Sequence, residues 1–311
     1  MELTIVTYRD LPDKSDLFHL WAQSFGFLAS PRWVADWAAD EDWLQGTPLG
    51  FCGLLDGQLV GFVGVMEIPT RDRHGQVELV GGIWAVTTRP SCQRQGVGRK
   101  LLAAAEDYLR GRGHRFSFLT TSRSIVAHAW YESVGYRDLS LVDGYAHLYR
   151  ILPRKSEVPR LKSKSKLAPP EQRQVVANFA RAMRNRCGFV YRSQYRLPYL
   201  ERMGAYEPAN SEVTPLGHVL ASRQFGSSRV IEIVAENKKT YRELIKSLEA
   251  RTREGVYLTF VFDPAAADVL VQSRYTCDRG AYNVVMAKPL AGAAFNEVYD
   301  ASFAISRCEF F

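Results

Sequence analysis

QRQGVG, Gln93–Gly98, separates two unlike texts. Before it runs an apolar, β-branched segment ending in GGIWAVTT, which predicts a strand over residues 76–87. After it, apolar residues recur at helical spacing, which predicts a helix over 97–112 closed by Gly113. Gly96 and Gly98 thus sit where a strand turns into a helix. Exposed N–H groups at a helix N-terminus, with the helix dipole behind them, form an anion site. Glycine removes the side chains that would hold a phosphate off the backbone, and Arg94, Arg99 and Lys100 add positive charge. Taken alone, these residues leave open both a phosphate site and a plain helix cap.

The chain has 311 residues, 46% hydrophobic and 23% charged, which fits globular structure and is long enough for two domains. No run of about 18 apolar residues predicts a membrane span, and the opening MELTIVTYRDLPDK has no apolar core of a signal peptide. Five scattered cysteines without a CxxC pair point to a reducing, cytoplasmic setting, with neither a disulfide framework nor a metal site. The net charge of +7 is uneven: −2 over residues 1–153, +5 over 154–168 and +4 over 169–311. The basic cluster falls in PRKSEVPRLKSKSKLAPPEQ (153–172), whose four prolines and alternating Lys and Ser read as an interdomain linker. A solvated linker explains that charge without nucleic acid.

Pattern and turn residues divide the remainder into an α/β succession with helices on the faces of a mixed sheet. In the first part, strands are expected at 3–9, 49–56, 58–68, 76–87, 115–121 and 145–152, with Asp56-Gly57 as a hairpin turn. Helices are expected at 15–26 with Ser15 as cap, 31–39 opening on Pro31, 97–112, and 124–135 closed by Gly135. In the second part, helices are expected at 173–186, 238–253 and 265–274, and strands at 218–225, 229–236, 255–263 and 281–290.

The stretch AVTTRPSCQRQGVGRKLL resembles the signature of the GCN5-related N-acetyltransferase (GNAT) superfamily, (Gln/Arg)-x-x-Gly-x-(Gly/Ala), through Gln93, Gly96 and Gly98. SIVAHAWYESVGYRDL resembles a second family element through Ala127, Tyr131, Gly135 and Tyr136, with Ser124 where Asn is usual. The resemblance covers roughly residues 3–152. It implies a GNAT fold over 1–152, acetyl-CoA as co-substrate without a metal, and a small-molecule or protein amine as acceptor. It places Arg94, Gln95, Gly96, Val97, Gly98 and Arg99 around the pyrophosphate, with Gln93 and Ser124 beside the cofactor. Val86, Thr87 and Thr88 fall along the pantetheine arm, and the Val86 N–H falls at the thioester carbonyl. Tyr131 takes the place of the general acid, whose phenol stays protonated at neutral pH; a packed core aromatic is the plainer alternative.

The general base is less well marked. The family's usual glutamate position on the fourth strand is Gly82 here, and Glu78 lies about 13 Å along the same face. Glu78 could act only through water. Asp72, His74 and His128 read more simply as solvent-facing or packed residues, and the α-carboxylate of Phe311 is a remaining candidate. Phe25, Phe27, Trp33 and Trp37 fall near the expected acceptor pocket but read as core at this spacing.

Residues 173–311 echo the strand–helix–strand order, yet the joint AENKKTYRE has no glycine. This predicts a degenerate, smaller GNAT-like or accessory domain that packs, closes the pocket or supports a homodimer. The run YRSQYRLPYLERMGAY (191–206) reads as an interface helix with solvated arginines, with a wall of the acceptor pocket as the alternative. The expected function is acetyl transfer to a primary amine by direct attack in a ternary complex. The alternative is a non-catalytic acyl-CoA-binding sensor. No nucleic acid or membrane partner is expected.

Overall fold

The computed structural model describes residues 2–142, 145–153, 164–278 and 283–309. β1 (Leu3–Thr7) pairs antiparallel with β2 (Gly50–Leu55), and β2 turns into β3 (Gln58–Arg71). Asp56 and Gly57 make that turn at φ 49° and 79°, the twist that suits a two-residue hairpin. α1 (Ser15–Phe25) and α2 (Pro31–Asp40) lie between β1 and β2. Ser15 is the first residue of α1 rather than its cap, and its N–H is accepted by the Asp13 carboxylate at 2.8 Å. β4 (Val77–Thr88), α3 (Val97–Gly111), β5 (Phe116–Ser122), α4 (Val126–Ser133) and β6 (Arg137–Asp138) complete the first run.

The second run comprises β7 (Ala146–Ile151), α5 (Pro169–Ala182), β8 (Cys187–Gly188), α6 (Arg196–Arg202), β9 (Glu212–Thr214), β10 (Gly217–Gln224) and β11 (Ser227–Ala235). It continues through α7 (Lys238–Ala250), β12 (Gly255–Val261), α8 (Pro264–Gln272), β13 (Thr276–Asp278), β14 (Asn283–Pro289), α9 (Phe295–Val298) and β15 (Phe303–Ala304). α5 begins within the expected linker. Pro169 and Pro170 fill its first positions, where no N–H is required, and Glu171 accepts the Ala168 N–H at 3.0 Å.

The strands form two sheets that trade a strand. The first runs β1-β2-β3-β4-β5-β14-β6, with β8 and β15 attached at the far end of β3. The second runs β13-β7-β12-β11-β10-β9. The strand expected to finish the first sheet, β7, therefore lies in the second, between β12 and β13. Its place beside β5 is taken by β14, from Asn283↔Ser122 to Pro289↔Phe116. The two sheets share one plan: β4 is parallel to β5 and β11 to β12, and each pair is followed by an antiparallel strand from the other half. Alternation identifies a strand, whereas the choice of sheet is made by distant packing. β14 supplies both faces of the first sheet, with Val284 and Met286 in the α3-side core and Val285 and Ala287 in the opposite one.

A buried ion cluster ties the C-terminal segment to the second sheet. Arg192 grips Glu232 through two bonds of 2.8 and 2.7 Å and reaches Glu309 at 2.6 Å, all three side chains fully buried. His218 adds a 2.7 Å contact to Glu232, and Ser306 donates to its other oxygen. Burial alone would raise the Glu232 pKa, but Arg192 and His218 hold it well below the usual carboxylate range. Arg196 is also buried and donates to the Cys308 carbonyl at 2.6 Å. Arg192 and Arg196 of the run 191–206 thus brace the interior and are not solvated, because their partners arrive from residues 232, 309 and 308, while Arg202 is exposed.

A fragment ending at Leu152 retains β5 without β14 and β7 without β12. It is expected to lack a cooperative thermal transition by circular dichroism, whereas the full chain shows one. A sharp transition in the fragment would contradict the strand exchange.

Candidate active site

Between β4 and α3 the chain turns on two left-handed residues, Arg94 at φ 62° and Gly96 at φ 82°. The first backbone bond of the helix is Lys100 N–H to the Gly96 carbonyl. The N–H groups of residues 94–99 have no acceptor among the described residues, so six donors are left without an internal partner at a helix N-terminus. A Cβ on Gly96 would meet only open space, and Gly98 faces Thr88 and Trp130 at 3.3 and 3.6 Å. Arg94, Arg99 and Lys100 are exposed and form no ion pair among the described residues. The loop is tethered below: Arg89 donates to the Leu59 carbonyl at 3.0 Å, and the Gln95 side chain to the Ser91 carbonyl at 3.1 Å. Gln93 reaches back to the Thr88 carbonyl at 3.4 Å. The arrangement suits an extended polyanion lying on backbone.

β4 and β5 pair only at Gly81↔Ser117 and Gly82↔Phe118, so beyond Gly82 the two strands part. A bulge falls in the parted stretch. Ala85 sits at φ 47°, and the register with β3 shifts between Phe62 and Gly64. As a result Trp84 and Ala85 both pack toward the core under α1 and α2, and Val86 packs toward α3. Thr87 is buried and hydrogen-bonds Ser24 of α1. Thr88 ends the strand beside Gly98. A wedge between two strands, with an anion cradle at its mouth, can admit an extended, amide-bearing ligand as an added strand.

α4 closes the α3 side of the wedge. Tyr131 is buried with Ile83 of β4, Leu119 of β5 and Val97 of α3, and its ring lies 5.0 Å from Trp130 and 5.9 Å from Tyr136. Burial pushes its phenol well above the ordinary value, so the hydroxyl keeps its proton. Ser124 precedes α4 on the surface and bonds Ser122 at 2.8 Å. Glu78 is placed differently from a water-mediated base: Arg115 holds one carboxylate oxygen at 2.6 Å and Tyr299 the other at 3.1 Å. It lies on the paired part of β4 and braces β5 and the C-terminal segment. His128 contacts Asp138 at 2.9 Å, on the outer side of α4. Phe311 lies outside the described residues. No group of three or more His, Cys, Asp or Glu among the described residues is placed to hold a metal ion, and no described helix is long and apolar enough to cross a membrane.

Residues 14–136 match the model of the acetyltransferase (GNAT) family. Residues 14–136 are a GNAT domain. No curated protein matches the chain at a significant level. Among solved structures, a GCN5-related N-acetyltransferase from Kribbella flavida is similar at TM-score 0.64 and 17% identity, over 93% of this chain and 71% of that one. A conserved protein of unknown function from Enterococcus faecalis V583, described as a probable N-acyltransferase, aligns at TM-score 0.65 and 13% identity, over 93% and 72%. Eis1 from Mycobacterium abscessus aligns at TM-score 0.62 and 16% identity, over 93% and 74%. At such identities the likeness is one of fold, and it extends over both sheets.

The wedge of the GNAT domain has a counterpart in the second sheet that is filled. β11 and β12 pair from Ser228↔Val256 to Val230↔Leu258 and then part. Ser306 enters the gap beside Val230–Ile233 and Leu258–Phe262. The helix that follows, α7, is capped by the Asn237 side chain, which accepts the Thr240 N–H at 3.0 Å. Glu236 and Asp263 lie at this end of the sheet, paired with Arg181 and Arg186 at 3.4 and 3.8 Å.

Four aromatics singled out in the sequence join residues it did not single out. Trp37 is buried, Phe27 and Trp33 are half-buried, and Phe25 is exposed. Trp37 abuts Trp84 at 4.8 Å and stacks on Tyr199 of α6 at 5.2 Å, while Trp21 lies 5.6 Å from Trp84. The Trp84 ring lies so flat on Gly64 that a Cβ there would come within 2.3 Å of it. Glycine at residue 64 is the one signal in the sequence that could have marked Trp84.

Gly98→Val is expected to weaken acetyl-CoA binding about tenfold or more, because its branched carbons would crowd Thr88 and Trp130 and push the N–H groups of the loop out of place. Calorimetry should give one acetyl-CoA per wild-type chain. Two sites per chain would contradict the filled second wedge.

Proposed function

We propose that the chain transfers the acetyl group of acetyl-CoA to a primary amine by direct attack in a ternary complex. The observation that carries this reading is the row of six acceptor-free N–H groups, residues 94–99, at the mouth of the parted β4–β5 wedge. The pyrophosphate lies on these groups, with Arg94, Arg99 and Lys100 adding charge. The pantetheine arm follows the backbone of Val86, Thr87 and Thr88, with Gln93 and Ser124 at its sides.

The Val86 N–H then faces the thioester carbonyl and stabilises the charge that develops there. The amine attacks as the free base, having lost its extra proton to solvent. The C–N bond forms, the attacking nitrogen gives up its second proton to solvent, the C–S bond breaks, and the departing sulfur takes the Tyr131 phenolic proton, which solvent then restores to the phenolate. A phenol kept protonated by burial is suited to that transfer and unsuited to act as a base. In this reading the catalytic unit is residues 1–152, completed by β14, and residues 173–311 form the accessory unit behind the acceptor side. The enzyme works in the cytoplasm.

The test is amine-dependent thiol release from acetyl-CoA, with binding measured in parallel. Tyr131→Phe is expected to lower kcat by about 100-fold or more while acetyl-CoA binding holds. Tight binding without turnover on a broad panel of amines would favour a sensor over an enzyme. Unchanged kcat in Tyr131→Phe would remove the acid role.

A further inference from the structure

The second sheet is covered unequally on its two faces. α7 and α8 pack on one face, over Leu148, Val256 and Leu258. The other face is covered at β10 and β11 by α5, α6 and the C-terminal segment, which share a cluster with Leu220 and Ile231. Over β13, β7 and the start of β12 that cover stops. Paired residues of adjacent strands share a face. Thr276↔Tyr149, Tyr149↔Tyr257 and Tyr257↔Arg229 therefore form one row across four strands. All four side chains are exposed, Tyr149 at 44% and Tyr257 at 40%. Ile151 stands on the same face two residues along β7 and is exposed as well.

The row is fixed from beneath. Buried His147 shares a hydrogen bond of 3.1 Å with the Tyr257 hydroxyl, and the two rings lie within 27° of parallel. Arg229 forms no ion pair among the described residues. The turn carrying Arg307 packs against β11 and β12. Burial and the nearby Arg229 charge bring the Arg307 guanidinium down to about 10. The two cations crowd each other, and an anion held by both relieves that. Asp278, opposite His147 in register, sits at the far end of the face, on the edge strand β13. No stretch of the sequence displays this basic and aromatic surface, because its members come from residues 149, 229, 257 and 307.

We propose that this face binds single-stranded RNA. The Tyr149 and Tyr257 rings stack bases, and Arg229 and Arg307 hold phosphates. Thr276 and Asp278 at the β13 edge accept from ribose 2′-hydroxyls, which DNA lacks. The row spans about 14 Å, the reach of two or three splayed bases. Residues 154–168, net +5, follow β7 in the sequence and add long-range attraction for a polyanion. A second copy of the chain is a poorer occupant. Ile151 and two partly exposed tyrosines fall well short of the roughly 800 Å² per partner that a stable dimer buries. The proposal is independent of the transferase reading.

The test titrates the full chain into fluorescein-labelled RNA of mixed sequence, about 12 nucleotides long, and into DNA of the same sequence, read by fluorescence anisotropy. RNA is expected to bind about tenfold or more tightly than DNA. Tyr149→Leu should weaken RNA binding about tenfold, whereas Tyr149→Phe, which keeps the ring, should leave it unchanged. Arg229→Gln should weaken binding and reduce the slope of log affinity against log salt by about 0.7. Thermal midpoints are checked for each variant, and exposed Arg229 decides the matter if Tyr149→Leu unfolds. Affinity unchanged in both Tyr149→Leu and Arg229→Gln would assign binding to the lysine-rich segment and overturn the proposal. Displacement of the RNA by acetyl-CoA would assign it to residues 94–99 and do the same. Equal affinity for RNA and DNA, or no binding to either, would also overturn it. In the last case, a dimer in sedimentation velocity that Tyr149→Leu weakens would make the face a contact between copies.

Discussion

The ladder between β5 and β14 is the interaction on which the remaining architecture depends. β5 forms one wall of the wedge, and on its β4 side it is paired only at Gly81↔Ser117 and Gly82↔Phe118. Everything above those two pairs is held from the other side by β14, through Val284↔Thr121 and Asn283↔Ser122. A strand that must part from one neighbour needs a continuous bond to the next. The protein supplies that bond from its second half and gives β7 in return. The two sheets are therefore one covalent and structural object, with Val285 fully buried in the core they share with the C-terminal segment.

From that frame the two wedges diverge by local chemistry. In the GNAT domain, glycine at 96 and 98 leaves six N–H groups bare, and basic side chains surround them. In the second sheet, Asn237 consumes a comparable donor, and Ser306 occupies the gap. The second wedge binds the protein's own chain through the Arg192–Glu232–Glu309 cluster. Removing one partner of such a cluster strands a buried charge at a cost of about 3–5 kcal/mol, so the plug is a permanent part of the fold.

Much of this was legible in the residues. Period and turn chemistry located the longer helices and strands, because those signals are local: Asp56-Gly57 makes its hairpin, and Gly135 takes φ 99° after α4; β6, β8, β9, β13, β15 and α9, too short to show a period, were not located. QRQGVG disclosed the anion cradle because glycine there has a backbone consequence. The exchange of β7 and β14 was not legible, since either strand satisfies the same antiparallel pattern. Nor were the partners of Glu78, Arg192 and Arg196, which come from residues 115, 299, 232, 309 and 308. Charge in a sequence reads as solvated until its counter-charge is found, and here the counter-charges lie far along the chain. Trp84 escaped notice for a related reason: the bulge at Ala85 that turns it under α1 and α2 is a tertiary feature, and only Gly64, on which its ring lies, hints at it.

The traded strands also set a timetable for the growing chain. β5 leaves the ribosome long before β14, so its outer edge waits unpaired through the synthesis of the second sheet. An unpaired edge bearing Phe116, Phe118 and Leu119 is a template for wrong pairing between nascent chains. The first half must be shielded, or held loosely collapsed, until residue 289 emerges. Its maturation is thus governed by elongation rate and chaperone occupancy as much as by its own stability.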